Sequence, residues 1–221
     1  MYILEGNIGV GKSTFLKLIA ELCPEVSVIQ EPKEAWSGAA HGKSLLGNFY
    51  DNPSRWAYTM ETLTMKSRVN DHLREQAHQD PNRIMERSVY SGHYCFAKNG
   101  AAQGFLSPLE WQLYSQWVDF LVKKQCKIPR GFVYLKAEPE VCLGRIHKRN
   151  RPGEEGIPLE YMQQINTLHD KFLLDKEDLF DELKSVPVLV IDCNIEFANN
   201  ENLMNEHAAR VRNFLRETQA D

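Results

Sequence analysis

The stretch Glu5-Gly6-Asn7-Ile8-Gly9-Val10-Gly11-Lys12-Ser13-Thr14 decides how this chain is read. It fits G-x-x-x-x-G-K-[ST], a loop whose backbone amides cradle phosphate. Ahead of it Met1-Tyr2-Ile3-Leu4 is an apolar run short enough for a buried strand. Behind it Phe15-Leu16-Lys17-Leu18-Ile19-Ala20 has helical apolar spacing. Strand, glycine loop and helix are the context the pattern requires. The glycines let the backbone turn tightly and aim successive N–H groups at one anion, with the positive end of a helix dipole behind them. In that frame Lys12 reaches the β- and γ-phosphates of a nucleoside triphosphate, and Ser13 offers its hydroxyl to Mg²⁺.

A chain of 221 residues without a linker-like stretch reads as one domain, residues 1–221. Its formal net charge of −4 argues against a broad nucleic-acid surface and for a small phosphorylated partner. Cys23, Cys95, Cys126, Cys142 and Cys193 are scattered and lack metal-ligand spacing, which fits a reducing compartment. With the first strand beginning at residue 2 and no apolar run of membrane length, a soluble, cytoplasmic protein is expected.

Further along, Val26-Ser27-Val28-Ile29-Gln30 alternates like a strand and stops at Glu31-Pro32. In open α/β sheets ligands gather beyond the carboxyl ends of strands, so Glu31 faces the crevice of the phosphate loop. Residues 36–50 read as irregular. Pro53 opens a long helix to about Gln79, with Trp56, Met60, Leu63, Ser67 and Asn70 on a stripe suited to line a pocket. Arg83-Ile84-Met85 is a short third strand that ends on Glu86-Arg87-Ser88. Ser107-Pro108-Leu109-Glu110 is a capping box that opens a helix through Trp111, Tyr114, Trp117 and Val122. Gly131 to Ala137 is a fourth strand. Pro139 starts a helix carrying Arg145, His147, Lys148 and Arg149, with Arg151 just beyond, a basic concentration that calls for an anion. After the breaker-rich run 152–158, a long helix is expected from Leu159 to about Leu183, then a fifth strand, Val186 to Asp192, and a closing helix over 201–218. A basic helix end joined to a glycine hinge reads as an arginine-rich lid over about 145–157. The whole is a doubly wound, three-layer α/β domain with five parallel strands flanked by helices.

These residues resemble the deoxynucleoside kinase family, which includes deoxycytidine, deoxyguanosine and mitochondrial thymidine kinases. The resemblance covers nearly the whole chain. It rests on the loop Glu5 to Thr14, Glu31-Pro32 with Trp36, Tyr50 with Pro53 and Trp56, Glu86-Arg87-Ser88-Val89-Tyr90-Ser91, Arg145 to Arg151, and Gly156-Ile157-Pro158-Leu159-Glu160-Tyr161. It implies a P-loop kinase fold and ATP-dependent phosphorylation of a deoxynucleoside 5′-hydroxyl in nucleotide salvage. By the same resemblance Glu31 is the general base, Arg87 holds Glu31 and the hydroxyl, and Glu86 joins Ser13 on Mg²⁺. Tyr50 and Glu154 would grip the 3′-hydroxyl. Trp36 and Phe96 would wall the base, Met60 would touch the substrate, and Glu61, Arg68 and Gly92 stand at positions that choose the base. The triphosphate, ATP or another, would lie on Gly6, Asn7, Ile8, Gly9, Val10, Gly11, Lys12, Ser13 and Thr14. Arg145, Arg149 and Arg151 would meet the transferring phosphoryl group, and the donor adenine would lie near Glu196 and Phe197. The resemblance also implies a homodimer joined through helices, with the aromatic stripe Trp111 to Trp117 at the interface.

Two positions depart from the family. Glu61 stands where relatives place a glutamine, and Gly92 where deoxycytidine and deoxyguanosine kinases place an aspartate; Arg68 matches those two. Guanine, pyrimidine and adenine readings all stay open. An ionised Glu61 with Arg68 suits guanine, whereas a protonated Glu61 with space over Gly92 suits pyrimidines. The rival activities are a nucleoside monophosphate kinase of the thymidylate kinase type, which needs a second phosphate cluster at the acceptor, and a nucleotide switch, for which an N-K-x-D motif is missing.

Overall fold

Strand β1, Tyr2–Gly6, sends alternate side chains to opposite sides: Tyr2 and Leu4 join one buried cluster and Ile3 the other. Each such fully buried side chain contributes about 1.5–3 kcal/mol. The structure is a computed structural model that describes residues 1–31, 44–151, 153, 154 and 156–219. β1 lies at the middle of a five-stranded parallel sheet with β2 (Ser27–Ile29), β3 (Arg83–Glu86), β4 (Phe132–Lys136) and β5 (Val188–Asp192), in the order β2-β3-β1-β4-β5. The register sets Leu4 beside Glu86 and Gly6 beside Leu135. Because all strands run the same way, Glu31 after β2, Glu86-Arg87 at the end of β3 and the glycine loop after β1 meet at one edge.

The helices, in chain order, are α1 (Lys12–Leu22), α2 (Leu45–Asp51), α3 (Pro53–Glu75) and α4. The last runs from Val89–Ser91 through the wider π turn Gly92–Ala97 into Lys98–Ala102. Then come α5 (Pro108–Trp117, prolonged by Val118–Lys123), α6 (Pro139–Arg149), α7 (Leu159–Asp170, prolonged by Lys171–Asp175), α8 (Asp181–Lys184) and α9 (Glu201–Glu217). One core holds Phe15 and Leu16 of α1, Ile146 of α6 and Phe214 of α9. The other holds Met60 and Val69 of α3, Tyr94 of α4, Tyr114 of α5 and Phe172 beyond α7, which gives the three layers. All five cysteines are free and buried. The expected capping box forms, Ser107 and Glu110 each receiving the other's backbone N–H.

Four expectations are corrected. Within the stretch expected to be irregular, 45–51 is helical: Ser44 caps it by accepting from the Gly47 amide at 3.0 Å, and Phe49 is buried. The long helix 159–183 instead breaks after Asp175. Phe172 stacks with Tyr94 at 5.2 Å and meets Phe132 edge-on at 5.3 Å, the helix widens there, and Lys176 turns left-handed at φ 59°. The stripe of α3 toward the cavity runs through Met60, Glu61, Thr64 and Arg68 rather than Trp56, Leu63, Ser67 and Asn70. The fifth strand, expected from Val186, begins at Val188, and as an edge strand it is only half-buried over Val188, Leu189 and Val190.

Candidate active site

The glycine loop builds the first wall of the site. Gly9 has φ 76°, and a Cβ there would run into the Cys142 carbonyl of α6, so the loop can lie close on that helix only as glycine. Lys12 Nζ donates to the carbonyls of Gly6 at 2.9 Å and Asn7 at 2.7 Å, which curls it back over the loop. Ser13 Oγ lies 3.2 Å from both carboxylate oxygens of Glu86.

The second wall follows from the turn after β3. Arg87 is left-handed at φ 64°, a conformation that costs roughly 1–2 kcal/mol in a non-glycine residue. It is held from both sides: the Arg87 amide donates to Leu4 O at 2.9 Å, and Ser88 Oγ caps α4 by accepting from the Tyr90 and Ser91 amides at 3.1 Å each. Ser88 also donates to Glu5, whose carboxyl is fully buried and shifted upward by that burial against the pull of Arg87. The turn puts the Arg87 guanidinium 4.7 Å from the Phe96 ring centre, with its Nε 3.7 Å from Glu31 Oε2. Arg68 Nε and Nη2 donate to the other oxygen, Oε1, at 3.0 and 2.8 Å. Two guanidiniums therefore hold the Glu31 carboxylate.

Both walls face one cavity of about 610 Å³. Ile8 to Thr14, Glu31, Tyr50, Met60, Glu61, Arg68, Glu86, Arg87, Phe96, Arg145, Arg149, Arg151, Glu154, Glu196 and Phe197 line it. Gly6 and Asn7 lie behind the loop, the Asn7 amide donating to Met162 O at 2.9 Å. Trp36 and Pro32 lie outside the described residues, as do Pro152 and Glu155 of the expected hinge. Phe197 is buried against Phe15, their centroids 5.9 Å apart, under Gly11.

Three contacts differ from the expected pattern. Arg68 bonds Glu31, and among the described residues no hydrogen bond joins it to Glu61. The space over Gly92 is taken by Arg68, since a Cβ on Gly92 would come 3.0 Å from Arg68 Nη1. Arg149 and Arg151 do not stand open toward phosphate: both pair with the buried carboxylate of Glu154, Arg151 at 3.2 Å. Arg145 donates to Val10 O at 3.3 Å and lies 3.8 Å from Glu196.

Burial pushes the Glu61 carboxyl up to about 7, with Arg68 and Arg87 pulling the other way. Burial, then the charge of Glu154, pushes the Tyr50 phenol above its ordinary range. The sequence reading misses Leu46, Phe49, Thr64, Tyr161, Ala198 and Asn199 as lining residues, and Lys148 of the basic run does line the cavity. The Ser44 cap with Leu45, Leu46 and Phe49 at helical spacing carried a usable signal for α2; the loop residues 198 and 199 carried none.

A phosphate loop and a clamped carboxylate facing each other across one cavity fit a P-loop kinase fold. Comparison with known proteins narrows this. The family model described as deoxynucleoside kinase matches residues 2–216. "Deoxycytidine kinase 2" of Gallus gallus is 35% identical over 235 residues, covering 96% of this chain and 89% of that protein. "Deoxyguanosine kinase, mitochondrial" of Xenopus laevis is 34% identical over 233 residues, covering 96% and 88%. "Deoxycytidine kinase" of Homo sapiens is 33% identical over 235 residues, covering 96% and 89%. The chain belongs to the deoxynucleoside kinase family and is an enzyme that phosphorylates deoxynucleosides with a nucleoside triphosphate. No helix among the described residues is long and apolar enough to cross a membrane.

Proposed function

We propose that the chain transfers the γ-phosphoryl group of ATP to the 5′-hydroxyl of a deoxyribonucleoside, with Glu31 as general base. The observation that carries this is the single cavity in which Glu31, clamped by cations, faces the Lys12-Ser13 end of the phosphate loop. Glu31 accepts the proton of the 5′-hydroxyl as its oxygen bonds to the γ-phosphorus and the bond to the β-phosphate oxygen breaks. Arg87 orients Glu31 and the hydroxyl. Lys12, curled over the loop, meets the charge of the transferring group. Such reactions are mostly positioning and charge neutralisation, so these cations carry large terms.

The hydroxyl of Ser13 and the carboxylate of Glu86 form an all-oxygen pair that suits Mg²⁺, which needs few protein ligands beside phosphate and water. They would hold the ion, whose charge offsets that of the β- and γ-phosphates. Arg145, Arg149 and Arg151 form a lid over the donor phosphates, with the adenine beside Glu196 and Phe197. Glu154 and Tyr50 take the 3′-hydroxyl, so a bound acceptor competes for the carboxylate that Arg149 and Arg151 now share.

The base lies between Met60, Phe96 and Glu61, and we assign a pyrimidine preference. A carboxyl that titrates near 7 presents a donor and an acceptor in its neutral form, which matches the mixed edge of cytosine or thymine. Guanine needs an ionised Glu61 working with Arg68, and Arg68 is turned to Glu31. A homodimer forms through α5, whose Leu109, Leu113, Trp117 and Phe120 are exposed; Tyr114 of the same stripe is buried and Trp111 stacks on His93 at 5.5 Å, so those two belong to the core.

The test is incubation with labelled ATP and Mg²⁺ against four deoxynucleosides and their monophosphates. Nucleoside 5′-monophosphate should accumulate, fastest from a pyrimidine. Label appearing only in diphosphates would instead make the chain a monophosphate kinase.

A further inference from the structure

We propose that Arg68 is a positioning residue for Glu31 rather than a reader of the base. This rests on the reading of Glu31 as general base. Both Arg68 donors, Nε and Nη2, end on the same carboxylate oxygen, Oε1, at 3.0 and 2.8 Å. Arg87 approaches the opposite oxygen, Oε2. The two cations thus fix the carboxylate by its two ends, and neither duplicates the other.

The surroundings hold Arg68 in that pose. Its side chain is 11% exposed and that of Glu31 6%, so bulk water screens the pair weakly. Its guanidinium lies 5.8 Å from the centre of the Phe96 ring, on which Arg87 also sits. On the remaining side Gly92 leaves room that a Cβ, 3.0 Å from Nη1, would crowd. The glycine at 92 therefore serves the arginine, which fills the space that an enlarged base would otherwise enter. Base choice then falls on Glu61, about two turns of α3 away, and Arg68 acts on every acceptor alike.

An arginine that positions the base and one that reads the nucleobase fail differently. Arg68→Gln, with folding checked by its melting temperature, should lose kcat by roughly 10- to 100-fold, the range of lost charge-assisted hydrogen bonds. The loss should be the same factor, within about threefold, for deoxycytidine, thymidine, deoxyguanosine and deoxyadenosine, with KM for each little changed. Arg68→Lys, which keeps the charge and one donor direction, should recover part of kcat. It also serves if the glutamine variant does not fold. A loss confined to one base, a rise in KM at constant kcat, or wild-type kcat in a folded variant overturns the proposal. A wild-type chain that phosphorylates none of the four would instead sink the function proposed above, and this inference with it; an active wild type with a base-selective Arg68 defect sinks this inference alone.

Discussion

Two carboxylates in this molecule are each gripped by two arginines, and the two grips are built differently. Glu31 is held by Arg68 from α3 and Arg87 from the end of β3, partners 37 and 56 residues away in the chain, with side chains 11% and 7% exposed. Glu154 is held by Arg149 and Arg151, three to five residues away, with side chains 37% and 35% exposed. The first grip joins rigid elements across the sheet edge and is poorly screened. The second is local, and its arginines reach water although the Glu154 side chain is as buried as that of Glu31. An interior clamp suits a group that must be in place before substrate arrives; a wet, local one suits arginines that change partner when phosphate enters.

The comparison breaks first at the interior carboxylate. Glu31→Gln keeps shape but cannot take a proton, so kcat should fall by about 10²–10⁴ while deoxynucleoside binding largely survives. Single-turnover kinetics with equilibrium binding checks this, and a folded variant that retains more than a tenth of wild-type kcat rules the residue out as base. Next comes the loop opposite it: Lys12→Ala should lower kcat/KM for ATP by about 10²–10³ with little change in melting temperature. Unchanged kcat/KM would refute the loop assignment.

The third effect is a pH dependence beside the interior clamp. Glu61 titrates near 4.5 when unfolded and near 7 in place, so the folded state binds the extra proton between those values. The stability Glu61 contributes is therefore complete below about pH 4.5 and is lost as pH rises to about 7, with a ceiling on the order of 3 kcal/mol. Glu61→Gln should match the wild type in urea unfolding at pH 5 and exceed it at pH 8; equal curves at both values would mean that burial does not hold the proton. The smallest effect belongs to the wet grip. Replacing Arg151 alone by Gln, which leaves Arg149 on Glu154, should change unfolding free energy by less than about 1 kcal/mol, and less still in 1 M salt. A larger loss that salt leaves alone would make the Glu154 cluster part of the core.

The Arg149-Arg151-Glu154 neighbourhood stood in the sequence as a local run, and so did Glu31 and Arg87 as charges at strand ends. That Arg68 would reach Glu31 was not legible, because it depends on how α3 rotates over β2 and β3 and on the room over Gly92. The rotation of α3 was itself misread: a helix whose exposed and pocket faces both mix polar with apolar residues has little periodicity to orient it.

By itself the sequence determined the parallel α/β alternation, the phosphate loop and the family, since these rest on short-range signals: strand-loop-helix order, glycines that permit one turn, a capping box, and motifs in fixed succession. Tertiary structure alone decided which cation meets which carboxylate, where the helix after Leu159 breaks and which residues of 44–51 enter the cavity. Those outcomes follow from packing between elements distant in the chain, where buried charges take the partner that geometry brings within about 3 Å rather than the one nearest in sequence.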